Sequence, residues 1–166
     1  TAFTYEQGDL VKVTDALNRE SKRFIDIAGR LRSVTNPLGQ RTLYAVDALD
    51  RITQMTDALN GLTGLSYDAN GNLLTVTDAK SQQTVYTYNN MDRMATRKPP
   101  LLRNGMETYG YDSNGNLTSV LDRKSQTSTV MYDPLNRPTK ITYHDSTSTN
   151  YTYDTGNRWT QIQENN

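Results

Sequence analysis

The sequence predicts an all-β protein: an antiparallel meander of short hairpins, repeated with a period of 21 residues. Three observations predict it. First, the heptapeptide Tyr67-Asp68-Ala69-Asn70-Gly71-Asn72-Leu73 returns as Tyr111-Asp112-Ser113-Asn114-Gly115-Asn116-Leu117. Second, the leading aromatic or aliphatic position falls at 25, 46, 67, 88, 111, 132 and 153, in steps of 21 broken once by a step of 23. A fixed period in this range marks a repeat architecture. Third, turn signals recur every ten or eleven residues. That spacing leaves room for strands of about six residues and none for a helix of three turns.

Each copy opens on Asp, at Asp26, Asp47, Asp68, Asp112, Asp133 and Asp154, or on Asn89. A short polar side chain there can accept hydrogen bonds from the backbone that follows, as turn openers do. Three residues on stand Gly29, Asp50, Gly71, Asp92, Gly115, Asn136 and Asn157, the residue types that tolerate positive φ. Asp-x-x-Gly therefore reads as a type I turn closed by a left-handed residue, a three-residue hairpin loop with a bulge. A copy one residue short opens the chain at Tyr5-Glu6-Gln7-Gly8-Asp9-Leu10. Between the tips lie return turns, as at Asp15-Ala16-Leu17-Asn18, Asn36-Pro37-Leu38-Gly39, Asp57-Ala58-Leu59-Asn60, Asp78-Ala79-Lys80-Ser81 and Asp122-Arg123-Lys124-Ser125.

Along the chain, Ile25 and Val46 fill the aromatic slot in the early copies. Thr84-Val85-Tyr86-Thr87-Tyr88 alternates in the two-residue rhythm of a strand. Residues 99–105 interrupt the pattern: Pro99 and Pro100 stop pairing and Asn104-Gly105 signals a turn, so an elongated loop is expected there. The repeat resumes in phase, so residues 1–166 read as a single array of about eight repeats. Leu49, Met91 and Leu135 alternate with Asn70 and Asn114 at the tips, which suggests that the apolar tips pack and the Asn tips face water. Leu73 and Val76 are three apart and would point to opposite faces of a plain strand; either a bulge corrects the register or both faces are partly covered. So many strands are expected to curl, because strands twist, into a curved or spiralling sheet with open edges.

Composition narrows the function. Eighteen basic and eighteen acidic residues cancel, which argues against a nucleic-acid partner. No apolar run is long enough to span a membrane, and no leader segment stands at the start; the chain begins in mid-repeat and reads as cut from something longer. With no cysteine, disulfides and thiolate metal sites are excluded. Leu, Ile, Val and Phe together make up under a fifth of the chain, but eleven Tyr at strand positions supply large apolar faces with polar tips.

The recurring Tyr-Asp-x-x-Gly-Asn/Arg-Leu unit resembles the Rhs/YD-repeat family, which includes bacterial Rhs toxins, the shell-forming subunits of Tc toxin complexes and the teneurins. The resemblance runs from about Tyr5 to Gln163. It implies a segment of a hollow β-shell wrapped around a C-terminal toxic cargo, in a secreted or surface-delivered bacterial protein. The partners it implies are the rest of the parent chain and the enclosed cargo, with self-association through open edges when the segment stands alone. Asp133-Pro134-Leu135-Asn136 comes nearest to the family's Asp-Pro-x-Gly cleavage motif, but Asn136 replaces the Gly, so no cleavage role follows.

Sharper chemistry finds less support. The Asp68 and Asp112 tips resemble the start of a calcium loop, but their Gly falls at position four and position twelve of the first is Ala79, where that loop needs Gly at six and Glu at twelve. His144, beside Asp145 and Ser146, is the only histidine and has no nucleophile elbow. No catalytic residue, metal or cofactor is therefore expected. Arg30, Arg51, Arg93, Arg137 and Arg158 stand in register, read as solubility and pairing with carboxylates rather than as an anion-binding stripe. The alternative function is a cell-surface carbohydrate-binding module, with Tyr86, Tyr88, Tyr109 and Tyr111 as its ligand face.

Overall fold

The computed structural model describes residues 1–100 and 105–165. Among the described residues every regular element is a strand, and all pairings are antiparallel between sequence neighbours. The chain divides into two units, Thr1–Gln83 and Thr84–Asn166. The first carries β1 (Ala2–Glu6), β2 (Asp9–Thr14), β3 (Glu20–Ile25), β4 (Leu31–Thr35), β5 (Arg41–Val46), β6 (Ile52–Thr56), β7 (Leu62–Tyr67) and β8 (Leu73–Thr77). The second carries β9 (Gln83–Tyr88), whose first residue closes the preceding unit, then β10 (Met94–Lys98), β11 (Glu107–Tyr111) and β12 (Leu117–Leu121). It continues with β13 (Thr127–Tyr132), β14 (Pro138–Thr142), β15 (Ser148–Tyr153) and β16 (Trp159–Asn165). Strands of five to seven residues follow from the turn spacing.

The turns form as their residues dictate. In the first full tip the Gly29 N–H donates to the Asp26 carbonyl at 2.9 Å, and the Asp26 N–H to the Arg30 carbonyl at 2.9 Å. All seven residues expected to be left-handed have positive φ, from 55° at Asp92 to 92° at Gly71. The return turns repeat the design, with positive φ at Asn18, Gly39, Asn60, Ser81 and Ser125. Two turns differ from the common pattern. The short first copy closes on Gln7 and Gly8, both at positive φ, a two-residue hairpin loop of the primed kind. A further return turn spans Tyr143–Ser146 without an opening Asp: Ser146 is left-handed, and Asp145 accepts from the Thr147 N–H and hydroxyl. The expected loop at 99–105 falls partly on residues 101–104, which lie outside the described residues. Gly105 has φ +98°, and a Cβ there would overlap the Arg123 backbone.

A second irregularity settles the spacing of Leu73 and Val76. After each Tyr-Asp tip the register slips by one residue: Tyr67 pairs with Leu73 but Ser66 with Thr75, so Leu74 is the extra residue of a bulge. The slip brings Leu73 and Val76 onto the face that carries Leu65 and Tyr67. The same slip recurs beside Ile25, Val46, Tyr111, Tyr132 and Tyr153. In each unit the tip tyrosines therefore share a face with residues such as Leu65, Leu73, Val76 and Val120, while the other face is rich in Thr and Ser but also carries Phe24, Leu43, Leu62, Val85, Leu121 and Met131. Ser66 and Thr75, and Thr87 and Thr96, are bonded pairs on that polar face.

No hydrophobic side chain among the described residues is fully buried. Cohesion rests on backbone ladders and on cross-strand pairs, each contributing about 0.2–1 kcal/mol. The expectation that apolar tips pack is not met within this chain. Leu49, Met91 and Leu135 are exposed like Asn70 and Asn114, because a tip residue just before the left-handed position points off the end of its hairpin.

Candidate functional site

The most organised chemistry lies at the Tyr-Asp tips, built from three layers of contact. The first is local. Asp26 Oδ1 accepts from the Ala28 and Arg30 N–H groups, and Oδ2 from Arg30 Nε at 2.9 Å. Asp47 with Arg51, Asp133 with Arg137, and Asp154 with Arg158 repeat this bidentate arrangement. Where Asn replaces Arg, Asn72 and Asn116 donate their backbone and side-chain N–H groups to Asp68 and Asp112. These donors hold the carboxylates below the ordinary aspartate pKa. The side-chain amides of Asn72 and Asn116 lead at Asp68 and Asp112, and the Arg137 guanidinium leads at Asp133. At Asp26 and Asp47 desolvation pushes upward, but the backbone and side-chain donors of Arg30 and Arg51 outweigh it.

The second layer joins one repeat to the next. The Tyr67 hydroxyl donates to the Ile52 carbonyl at 2.9 Å, Tyr111 to Met94 at 3.0 Å, Tyr132 to Leu117 at 3.0 Å and Tyr153 to Pro138 at 2.8 Å. The accepting residue is always the first of the strand after the preceding tip, just before the bulge. A bulge disrupts the ladder, and the hydroxyl brings a donor to that point. The third layer covers the ring. The guanidinium carbon of Arg51 lies 4.8 Å from the Tyr67 ring centre, that of Arg93 5.9 Å from Tyr111 and that of Arg137 4.4 Å from Tyr153, within cation–π range. Tyr67, Tyr111 and Tyr153 are thus clamped between the carbonyl and the arginine of the preceding repeat, while Tyr132, which follows Asn116, makes the carbonyl bond.

The arginines also reach the neighbouring tip. Arg51 donates to the Asp68 carbonyl at 2.9 Å and Arg137 to Asn157 Oδ1 at 2.8 Å. Asn114 and Asn116 both donate to Asn136 Oδ1. Arg93 covers Gly115 so closely that a Cβ there would overlap its guanidinium. Of the in-register arginines, Arg30, Arg51, Arg137 and Arg158 pair with carboxylates as expected, whereas Arg93 bonds Asn89 and Met91; the clamp is not among the expected roles. A signal was present: an Arg in one copy is followed, 16 or 18 residues later, by a Tyr at Arg51–Tyr67, Arg93–Tyr111 and Arg137–Tyr153.

Tyr86, Tyr88, Tyr109 and Tyr111 do share one face of β9–β11, because Tyr88 pairs with Met94, Tyr86 with Arg97 and Arg97 with Glu107. Their polar tips are drawn into the fold: Tyr111 is clamped, and Tyr109 donates to Glu107 at 2.9 Å. Glu107 also binds Arg97 through both oxygens at 3.2 Å and Arg123 at 3.4 Å. Desolvation raises the Glu107 pKa, but the Tyr109 hydroxyl and Arg97 prevail and lower it. His144 is exposed in the Tyr143–Ser146 turn, and Asp145 is engaged by Thr147. No group of three or more metal-ligating side chains occurs among the described residues.

The model of the RHS Repeat family matches residues 28–61, 67–100 and 132–166. The chain belongs to the Rhs repeat family. Its fold agrees with this. A crystal structure of TcdB2-TccC3-Cdc42 superposes with a TM-score of 0.72 at 20% identity over 88% of this chain. A Photorhabdus luminescens Tc holotoxin pore carrying TccC3-D651A gives 0.72 at 19% identity over the same share. TcdB2-TccC3 without its hypervariable C-terminal region gives 0.72 at 20% over 88%. This Rhs segment covers only 9% of each of those chains. Among curated proteins nothing matches. The chain is thus a structural repeat segment of the Rhs type.

Proposed function

We propose that the chain is one array of wall repeats from a larger, secreted bacterial Rhs/YD-repeat protein, and that the wall encloses a cargo segment of the same protein without performing catalysis itself. The observation that carries this reading is the clamp. The most recurrent residues, Tyr, Asp and Arg, satisfy one another and the backbone, leaving scaffold as their role. The likeness to Tc toxin structures supports it, since those chains are about eleven times longer than the matched segment. Antiparallel ladders within each unit, with a Thr/Ser-rich face and a Tyr-bearing face, suit a partition between solvent and an enclosed polypeptide. The glycan-binding alternative draws on the four tyrosines of β9–β11, but the bonds of Tyr109 and Tyr111 to Glu107 and Met94 favour the wall.

The test uses the full parent protein. Limited proteolysis should spare the cargo in the native protein and cut it after Tyr132→Asp and Tyr153→Asp open the wall. Equal cutting in both proteins would overturn the reading. A glycan array giving binding that Tyr86→Ala abolishes would establish the alternative.

A further inference from the structure

A straight apolar row crosses the Thr/Ser-rich face of the first unit. Phe24 pairs with Ser33, Ser33 with Leu43, Leu43 with Thr56 and Thr56 with Leu62. Residues directly opposite one another point to the same side of a sheet, so these five stand in one line across β3–β7. Large and small side chains alternate along it. Phe24, Leu43 and Leu62 are 57%, 42% and 50% exposed, whereas Ser33, between the first two, is 3% exposed. The large residues are two strands apart, about 9.6 Å, so the row spans about 19 Å. On one side runs a cationic line: Lys12 pairs with Lys22, Lys22 with Thr35 and Thr35 with Arg41. Glu20 binds Lys12 at 3.0 Å and Lys22 at 3.1 Å, so three cations face one carboxylate and the flank is net positive. On the other side Ala45 pairs with Gln54 and Gln54 with Gly64. A Cβ on Gly64 would meet nothing within 4 Å, which leaves a trough beside Leu62. The return-turn carboxylates Asp57 and Asp78 accept from N–H groups of their own turns.

We propose that this row is the docking site for an amphipathic α-helix of a partner polypeptide, apolar along one face and acidic along the edge that meets Lys22 and Arg41. The helix lies across the strands. Its face repeats every seven residues, about 10.5 Å, close to the spacing of the large side chains. Apolar residues one heptad apart therefore seat over Ser33 and Thr56, between Phe24, Leu43 and Leu62, as in other helix-in-groove contacts. The cationic line fixes which edge of the helix faces it, because only an acidic edge is complementary there. A second copy of this chain does not supply the helix, since every regular element among the described residues is a strand. An anionic membrane surface would use the cations and the large side chains but not the recesses between them, so the alternation favours the helix. The inference rests on the register of β3–β7 and does not require an enclosed cargo.

Fluorescence anisotropy of two labelled synthetic helices titrated with the 166-residue chain tests this. Each helix is about 18 residues, roughly 27 Å long, with Leu along one face; one carries Glu on both edges and the other Lys. The Glu helix should bind with a Kd on the order of 10 µM, and the Lys helix about tenfold more weakly. Leu43→Thr, which keeps a strand-forming residue, and Arg41→Gln should each weaken binding of the Glu helix about tenfold. Met131→Thr alters an exposed apolar residue on the Thr/Ser-rich face of the second unit, outside the row, and should bind as the native chain does. The comparison of the two helices uses the native chain, so it stands even if a variant unfolds. No binding of the Glu helix, equal binding of both helices, or binding that a folded Leu43→Thr chain retains in full would each overturn the proposal. Binding to phosphatidylglycerol vesicles without binding to either helix would overturn it in favour of a membrane surface. None of these outcomes touches the wall reading, which the cargo assay decides.

Discussion

The tip end and the return end of each hairpin use the same backbone device but differ in what they connect. At both ends, the first tip and the Tyr143–Ser146 turn excepted, an Asx side chain opens the turn and a left-handed residue closes it. At the return turns these bonds stay inside the turn, as at Asp15 with Leu17 and Arg19, or Asn36 with Leu38 and Gln40. At the tips the following Arg or Asn reaches the next repeat, and the next repeat's Tyr reaches back. The difference explains why the sequence is uneven. A tip residue answers to two repeats, so Tyr, Asp, Gly and Arg recur there. A return turn answers only to itself, so its opener drifts from Asp15 to Asn36 to Tyr143, and its third residue from Leu17, Leu38 and Leu59 to Lys80 and Lys124.

The largest expected effect comes from acid, which acts on the tips and also on the return-turn carboxylates Asp15, Asp122 and Asp145, likewise held below the ordinary range. The tip carboxylates at Asp68, Asp112, Asp133 and Asp154 titrate below their unfolded value in the folded chain. Their contribution is present above the unfolded pKa of about 3.9 and is lost as pH falls through the lower folded values. Thermal unfolding should be flat from pH 7 to about pH 5 and should drop steeply below about pH 4. Asp133→Asn, which keeps the acceptor oxygen without a titrating group, should blunt that drop.

Next comes the glycine pair Gly115 and Gly39. Both need positive φ, at 87° and 79°, but only Gly115 lies beneath a neighbour's side chain. Gly39→Ala should cost about 1–2 kcal/mol for the left-handed backbone alone. Gly115→Ala should cost about 2–4 kcal/mol, because Arg93 must also leave. Equal losses in urea unfolding would mean that the tips are no more connected than the return turns.

Smaller still, Tyr153→Phe should cost about 1 kcal/mol by removing the hydroxyl bond to Pro138. Tyr143→Phe, in an exposed return turn, should fall within about 0.5 kcal/mol of zero. The contrast can also be sharpened by gain. Val46 occupies a tyrosine slot opposite Ile52, 15 residues after Leu31 as Tyr67 is after Ile52, and Arg30 is already fixed by Asp26. Val46→Tyr should stabilise the first unit by about 1 kcal/mol, through one hydroxyl bond and one stacked guanidinium. An unchanged melting temperature would show that Arg30, which also reaches Asp50 at 3.6 Å, cannot serve both.

Much of this protein was legible in its residues because its structure is local. A turn is decided by four or five neighbours, so the left-handed slots from Gly29 to Asn157, the strand lengths and the meander follow from spacing and residue type. What escaped was everything that depends on register between strands. The extra bulge residue at Leu74 decides that Leu73 and Val76 share a face with Tyr67, and no one-dimensional rule for strands contains it. The bond of Tyr67 to Ile52 and the stacking of Arg51 on Tyr67 span 15 and 16 residues, and exist only because the ladder sets two repeats side by side. The exposure of Leu49, Met91 and Leu135 likewise depends on where a tip points. The sequence by itself determined the hairpins, since their geometry is set by intrinsic backbone preference. Only the tertiary structure decided which recurrent residues hold one hairpin to the next, because that is a matter of distance across a sheet and not along a chain.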